Sequence, residues 1–84
     1  VIEFNARFGD PEAEVILPRL KSDFVDAILS VMDGQPVQLQ WTPKTCHGVV
    51  LASEGYPAGS TKGAPIEIGD TDASIFHMGT RSTD

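Results

Sequence analysis

The first eight residues alternate without a fault. Ile2, Phe4, Ala6 and Phe8 fall on one side of an extended segment, and Val1, Glu3, Asn5 and Arg7 fall on the other. A period of two predicts a strand with one apolar face. The opposite face then carries a carboxylate, an amide and a guanidinium in a row, about 6.5–7 Å between successive members at a strand's rise per residue. A half-buried strand with a solvated polar face is enough to explain that row on composition alone. Gly9-Asp10-Pro11 breaks the pattern.

Helix signals follow the break. Asp10 suits an N-cap, Pro11 the first helical position, and Glu12 sets negative charge near the positive helix end. Val15, Ile16 and Leu17 supply apolar contacts, and Pro18 is expected to end or kink this short helix. A second helix is predicted from about Ser22 to Met32. There Phe24, Ile28 and Val31 recur at helical spacing, with Val25 and Leu29 on the flank. Ser22 or Asp23 can cap its start, and Gly34 sits where a left-handed residue is wanted after its end. An amphipathic helix of this kind either packs on its own sheet or serves as a partner-binding element.

From Gln35 the character changes. Val37, Leu39 and Trp41 alternate with Gln38 and Gln40, and a second apolar run, about Cys46 to Ala52, passes through Val49, Val50 and Leu51. Ser53 to Ala64 is rich in Gly, Ser and Pro and reads as a loop. Short strands are expected around Ile66 to Ile68 and Ser74 to Met78, before a polar, frayed end from Gly79 to Asp84. The expected class is therefore α+β: strand, short helix, helix, then four strands. The composition shift near Gly34 divides the chain into residues 1–34 and 35–84.

Charge and cysteine content narrow the partners. Twelve acidic against six basic residues give a formal charge of −6, a field that repels phosphate backbones and anionic membranes. No run approaches the ~20 apolar residues that span a bilayer, and no charged-then-apolar signal segment opens the chain. Neither nucleic acid nor membrane is expected as a partner. Cys46 is the single cysteine, which excludes an intramolecular disulfide and suits a reducing cytosol. Its neighbour His47 would point to the opposite face of a strand, a poor arrangement for proton transfer. Val1 opens directly on strand-like sequence with no initiator methionine, so a piece of something longer is expected. A chain of this size buries only about 60–65% of its unfolded surface, so its core should be thin.

The polar row is where the sequence becomes specific. Glu3-x-Asn5-x-Arg7 resembles the metal- and phosphate-binding strand of ATP-grasp ligases. Its continuation, Arg7-Phe8-Gly9-Asp10-Pro11-Glu12, resembles the signature of the phosphoribosylamine–glycine ligase family. The likeness runs through Leu17-Pro18-Arg19-Leu20-Lys21-Ser22-Asp23. It returns at Val50-Leu51-Ala52-Ser53, Gly55-Tyr56-Pro57, Lys62-Gly63 and Phe76-His77-x-Gly79-Thr80. Glu14, where the family often has glutamine, and Met78, where a small residue is common, depart from it.

The resemblance implies a fold and an activity. The fold is the end of an ATP-grasp domain (strand plus two helices) in residues 1–34. Part of a small, mostly antiparallel β-rich carboxy-terminal domain follows in residues 35–84. The activity is a cytoplasmic, ATP-dependent carbon–nitrogen ligation in de novo purine biosynthesis. Glycine joins 5-phosphoribosylamine through a glycyl phosphate, giving glycinamide ribonucleotide, ADP and phosphate. Glu3 and Asn5 are implied as ligands of Mg2+ or Mn2+, since magnesium takes oxygen donors from one or two carboxylates plus phosphates and water. Arg7 is implied as catalytic and substrate-binding, because its fork binds two oxygens of a transferring phosphoryl group or of a substrate carboxylate. Asp10 is read either as a helix cap or as a contact to the ammonium of glycine or to the amine substrate. Glu12 reads as helix-start electrostatics, and His77 as a structural histidine.

Parts that such an enzyme needs are not found in the sequence. It holds no glycine-rich phosphate-covering loop, no adenine-binding segment and no amino-terminal substrate domain. The fragment alone is expected to be inactive, with ATP, glycine, phosphoribosylamine and the missing amino-terminal parts of the same chain as partners. A free-standing acidic interaction module is the competing reading. A longer reading frame upstream of Val1 that carried a glycine-rich nucleotide loop would exclude it.

Overall fold

Helix forms where the backbone can satisfy its own hydrogen bonds locally. In the computed structural model, which describes residues 1–83, α1 spans Ala13–Ile16. The carbonyl of Gly9 accepts the Ala13 N–H at 2.9 Å, and that of Glu12 accepts from Val15 at 3.2 Å and Ile16 at 3.1 Å. The helix thus begins later than the sequence suggested. Glu12, not Asp10, stands at its N-cap, and no side chain caps it. Pro18 ends it as expected. Without an N–H to continue the ladder, the chain tightens into a 3-10 turn over Leu17–Arg19.

The second helix, α2, spans Phe24–Met32. Asp23 caps its start: the carboxylate accepts the Asp26 N–H at 3.0 Å, satisfying one of the free donors of the first turn. Its end closes in a Schellman arrangement. Gly34 takes φ 65°, its N–H reaches the Val31 carbonyl at 3.1 Å, and the Gln35 N–H reaches Ser30 at 2.8 Å. Gly34 is where the sequence pattern asked for a left-handed residue.

A second segment is tied along the approach to α2. The Lys21 N–H donates to the Gln40 carbonyl at 2.8 Å, and the Thr42 N–H donates to the Arg19 carbonyl at 2.8 Å. Ser22, freed from capping, accepts the Gln40 N–H on its hydroxyl at 2.6 Å. The Arg19 guanidinium donates to the carbonyls of Lys44 at 3.0 Å and Thr42 at 3.3 Å. Leu20 and Trp41 form an isolated antiparallel bridge at the centre of these ties.

That bridge is all the β-structure among the described residues, and the expected α+β architecture is corrected accordingly. No strand forms over Val1–Phe8, where the Ala6 N–H instead turns back to the Phe4 carbonyl at 2.9 Å. None forms over residues 46–52, 66–68 or 74–78, and residues 37–41 contribute only the bridge at Trp41. Among the described residues neither the strand-plus-helices end of an ATP-grasp domain nor an antiparallel β-rich domain is found. The physical reason is that alternation describes the two sides of a segment and says nothing of its partner. A strand's N–H and C=O groups point sideways and need a neighbour to fill them. Among the described residues these segments find no such neighbour, except at Trp41, which meets Leu20.

The chain divides into two units, Val1–Val50 and Leu51–Asp84. In the first, Phe8 meets Phe24 edge-on, with ring centroids 6.1 Å apart and planes at 68°. Gly48 lies so close to α1 that a Cβ there would come within 2.7 Å of Val15 Cγ1. The second unit holds the expected loop. The Tyr56 N–H reaches Ser53 at 3.2 Å and the Gly59 N–H reaches Gly55 at 3.0 Å. The fraying expected of the terminal segment falls, at Asp84, outside the described residues. No described residue is fully buried, so the core is thinner still than the length implies. No helix among the described residues is long and apolar enough to cross a membrane.

Candidate functional site

The polar row of the first segment is partly assembled. The Asn5 amide Nδ2 donates to Glu3 Oε1 at 3.0 Å, so these two side chains meet although the segment is not a strand. Arg7 does not join them. Its guanidinium donates to the Phe8 carbonyl at 3.0 Å. Asp10 does not take the cap position, which Glu12 holds. All four side chains are exposed, and a row open to solvent is free to meet an incoming anion or cation.

The donor set decides what such a pair suits. Glu3 keeps one carboxylate oxygen free of Asn5, and Asn5 keeps its amide oxygen. Two hard oxygen donors side by side fit a magnesium ion that draws its other ligands from phosphate and water. They do not make a self-sufficient metal cage, and no group of three or more His, Cys, Asp or Glu side chains gathers among the described residues. The donor chemistry suits a hard cation that takes most of its ligands from elsewhere.

The other residues singled out take local roles. His77 Nδ1 and Thr80 Oγ1 lie 3.1 Å apart, an exposed turn contact. Cys46 is a free, half-buried thiol.

A second feature has the form of a site. Phe8, Leu20, Phe24, Ile28, Leu39 and Trp41 are among the walls of a groove of about 500 Å³, and every side chain lining it is apolar. The periodic patterns marked Phe24 and Ile28 as one face and Leu39 and Trp41 as another. They gave no sign that the two faces meet. The long-range ties through Arg19 and Ser22 join them, and sequence spacing carries no trace of such ties.

Comparison with known proteins defines a class first. No protein-family model matches the chain, yet its curated relatives are ligases. It is 54% identical over 84 residues to the phosphoribosylamine–glycine ligase of Halalkalibacterium halodurans, an alignment covering 96% of this chain and 20% of that one. The ligase of the same name from Streptococcus pneumoniae is 51% identical over 67 residues (79% of this chain, 16% of the relative). That of Streptococcus suis is 46% identical over 83 residues (96% and 20%). The chain is homologous to a segment of the phosphoribosylamine–glycine ligases, and it spans about one fifth of the length of the relatives it matches.

Proposed function

We propose that this chain is a segment of an ATP-dependent ligase that joins glycine to 5-phosphoribosylamine, in the cytoplasm and in de novo purine biosynthesis. The observation that carries the reading is the Glu3–Asn5 pair, its side chains 3.0 Å apart, in a sequence 54% identical to a ligase of that name. Glu3 and Asn5 hold Mg2+ or Mn2+ through their oxygens. The metal, when bound, neutralises the crowded negative charge of a nucleotide's phosphates. Asn5 also fixes the Glu3 carboxylate by donating to one of its oxygens, leaving the other to the metal.

Arg7 lies two residues beyond Asn5 in the sequence. Freed from the Phe8 carbonyl, its fork pairs with the transferring phosphoryl group or with the glycine carboxylate, two oxygens at a time. Asp10, no longer needed as a cap, accepts from the ammonium of glycine or from the amine of phosphoribosylamine. Each of these groups positions or stabilises charge, and none of them supplies the nucleotide pocket. The 84-residue chain by itself is therefore inactive.

The test places this chain in the Halalkalibacterium ligase, in place of the homologous fifth, and measures turnover against metal concentration. Glu3→Ala and Asn5→Ala should each lower metal-dependent turnover by about a hundredfold or more, the scale of losing a charge-stabilising group. Near-normal activity in both would remove the metal assignment. Arg7→Ala separates its two readings. Loss in KM for glycine points to the carboxylate, and loss in kcat alone points to the phosphoryl group.

A further inference from the structure

An arginine meets an anion well only when the backbone beneath it is held, because its long side chain has many rotamers to lose. The polar row around Arg7 does not hold itself. It forms no strand, and its internal bonds, Asn5 to Glu3 and Ala6 to Phe4, each span two residues. Exposure along its apolar side falls from 103% at Ile2 through 85% at Phe4 to 51% at Phe8. Of residues 1–8, Phe8 alone is among the walls of the apolar groove, and its ring meets that of Phe24 edge-on at 6.1 Å. The segment is fastened at Phe8, one residue from Arg7.

Phe8 touches Arg7 in two ways. It follows Arg7 directly in the chain, and its carbonyl accepts from the guanidinium at 3.0 Å. Tilting the Phe8 ring off Phe24 would move both the root of the Arg7 side chain and the acceptor on which its head rests. The chain just beyond is fixed as well, since the Gly9 carbonyl accepts the Ala13 N–H at 2.9 Å. We propose that Phe24 is a positioning residue of the ligase reaction, acting through Phe8 to set where the Arg7 guanidinium waits for its anion. The inference rests on the anion-binding reading of Arg7. An edge-on aromatic pair suits the task because it fixes the angle of a ring as well as its depth. An aliphatic neighbour would fill the space without fixing that angle.

The experiment uses the same chimera of the Halalkalibacterium ligase and crosses Phe24→Leu with Arg7→Ala. Leucine keeps the groove wall apolar while the ring edge is lost. Phe24→Leu should change the same constant that Arg7→Ala changes, KM for glycine or kcat, by about tenfold, since a small misplacement of a reacting group is costly. In the Arg7→Ala background the same substitution should cost less than about twofold, because the group it positions is gone. Phe24→Tyr keeps the ring and should hold the constant within about twofold of the parent. Ile28→Ala, on the same helix and in the same groove, should show no coupling to Arg7. Equal losses from Phe24→Leu with and without Arg7, or coupling of the same size at Ile28, would overturn the proposal in favour of a general loosening of α2.

A second measurement does not depend on turnover. Phe8-Gly9 is the one Phe-Gly pair in the 84 residues. Phenylalanine labelled at the carbonyl carbon and glycine labelled at nitrogen therefore report the Phe8 carbonyl by NMR, assigned as the signal that moves in Arg7→Ala. Phe24→Leu should move it in the same direction. A carbonyl that Phe24→Leu leaves in place would overturn the proposal. Normal turnover in Arg7→Ala, with the carbonyl moved by both variants, counts against the anion-binding reading of Arg7 and leaves the link from Phe24 to Arg7 standing.

Discussion

Residues 19–42 and residues 51–83 are both rich in apolar side chains, and only the first stretch is ordered by regular hydrogen bonds. In the first, α2 satisfies itself through bonds four residues apart, and Arg19, Lys21 and Ser22 tie in a segment about twenty residues away. In the second, the backbone bonds are short turns around Ser53–Gly59 and Met78–Thr80. Ile66, Ile68, Ile75 and Phe76 stay 49–63% exposed. A helix needs nothing from outside itself to close its ladder, whereas a strand is half of a structure. Apolar content alone therefore orders neither stretch.

That contrast can be broken most directly at α2. Ala27→Pro removes a ladder bond and clashes with the preceding turn, costing about 3 kcal/mol. The helical circular-dichroism signal of the chain should collapse, while amide exchange across residues 66–78 stays unchanged. A helical signal that survived would mean that side-chain contacts such as Phe8 against Phe24, and not the local ladder, hold α2. The next largest effect is expected at the ties. Arg19→Ala deletes two charge-assisted bonds, to Lys44 and Thr42, worth about 1.5–3 kcal/mol together after solvent screening. The emission of Trp41, the single tryptophan, should shift to the red as its segment loosens.

Smaller effects sharpen the same contrast. Asp23→Ala removes the N-cap and should cost about 1 kcal/mol, read as a lower helical signal with Trp41 emission unmoved. At the bottom of the scale, Ile68→Thr lies in the second stretch, where no ladder or groove depends on it. Its effect should stay within about 0.5 kcal/mol. A larger loss in thermal unfolding would reveal order in residues 51–83 that the turn bonds do not supply.

The helices were the legible part of the sequence, because their signals are local. Asp23, Gly34 and Pro18 each act within a few residues, and each does what its chemistry dictates. Asp10 misled because a cap is defined by where the first turn closes, and that turn closes on Gly9 and Glu12 carbonyls instead. The five expected strands failed for one cause: the described residues supply them no partner beyond the single Leu20–Trp41 bridge. Within the candidate site, the spacing placed Glu3 and Asn5 along a strand that does not form, and it did not foresee their hydrogen bond. Nor did it foresee the diversion of Arg7 to the Phe8 carbonyl, since a long side chain one position from a free carbonyl has a nearer acceptor. The groove was illegible because its two walls lie in segments joined by bonds of 18 to 25 residues' separation.

The Leu20–Trp41 bridge also limits its own growth. On one flank the chain passes into the 3-10 turn of Leu17–Arg19, so no extended residue is left there to continue the ladder. On the other flank Ser22 stands across from Leu39, its hydroxyl already occupied by the Gln40 N–H, and Asp23 turns the chain into α2. The pair works as a rivet rather than a seam. It fastens two stretches at a single point while offering no open edge along which another chain could zip and aggregate.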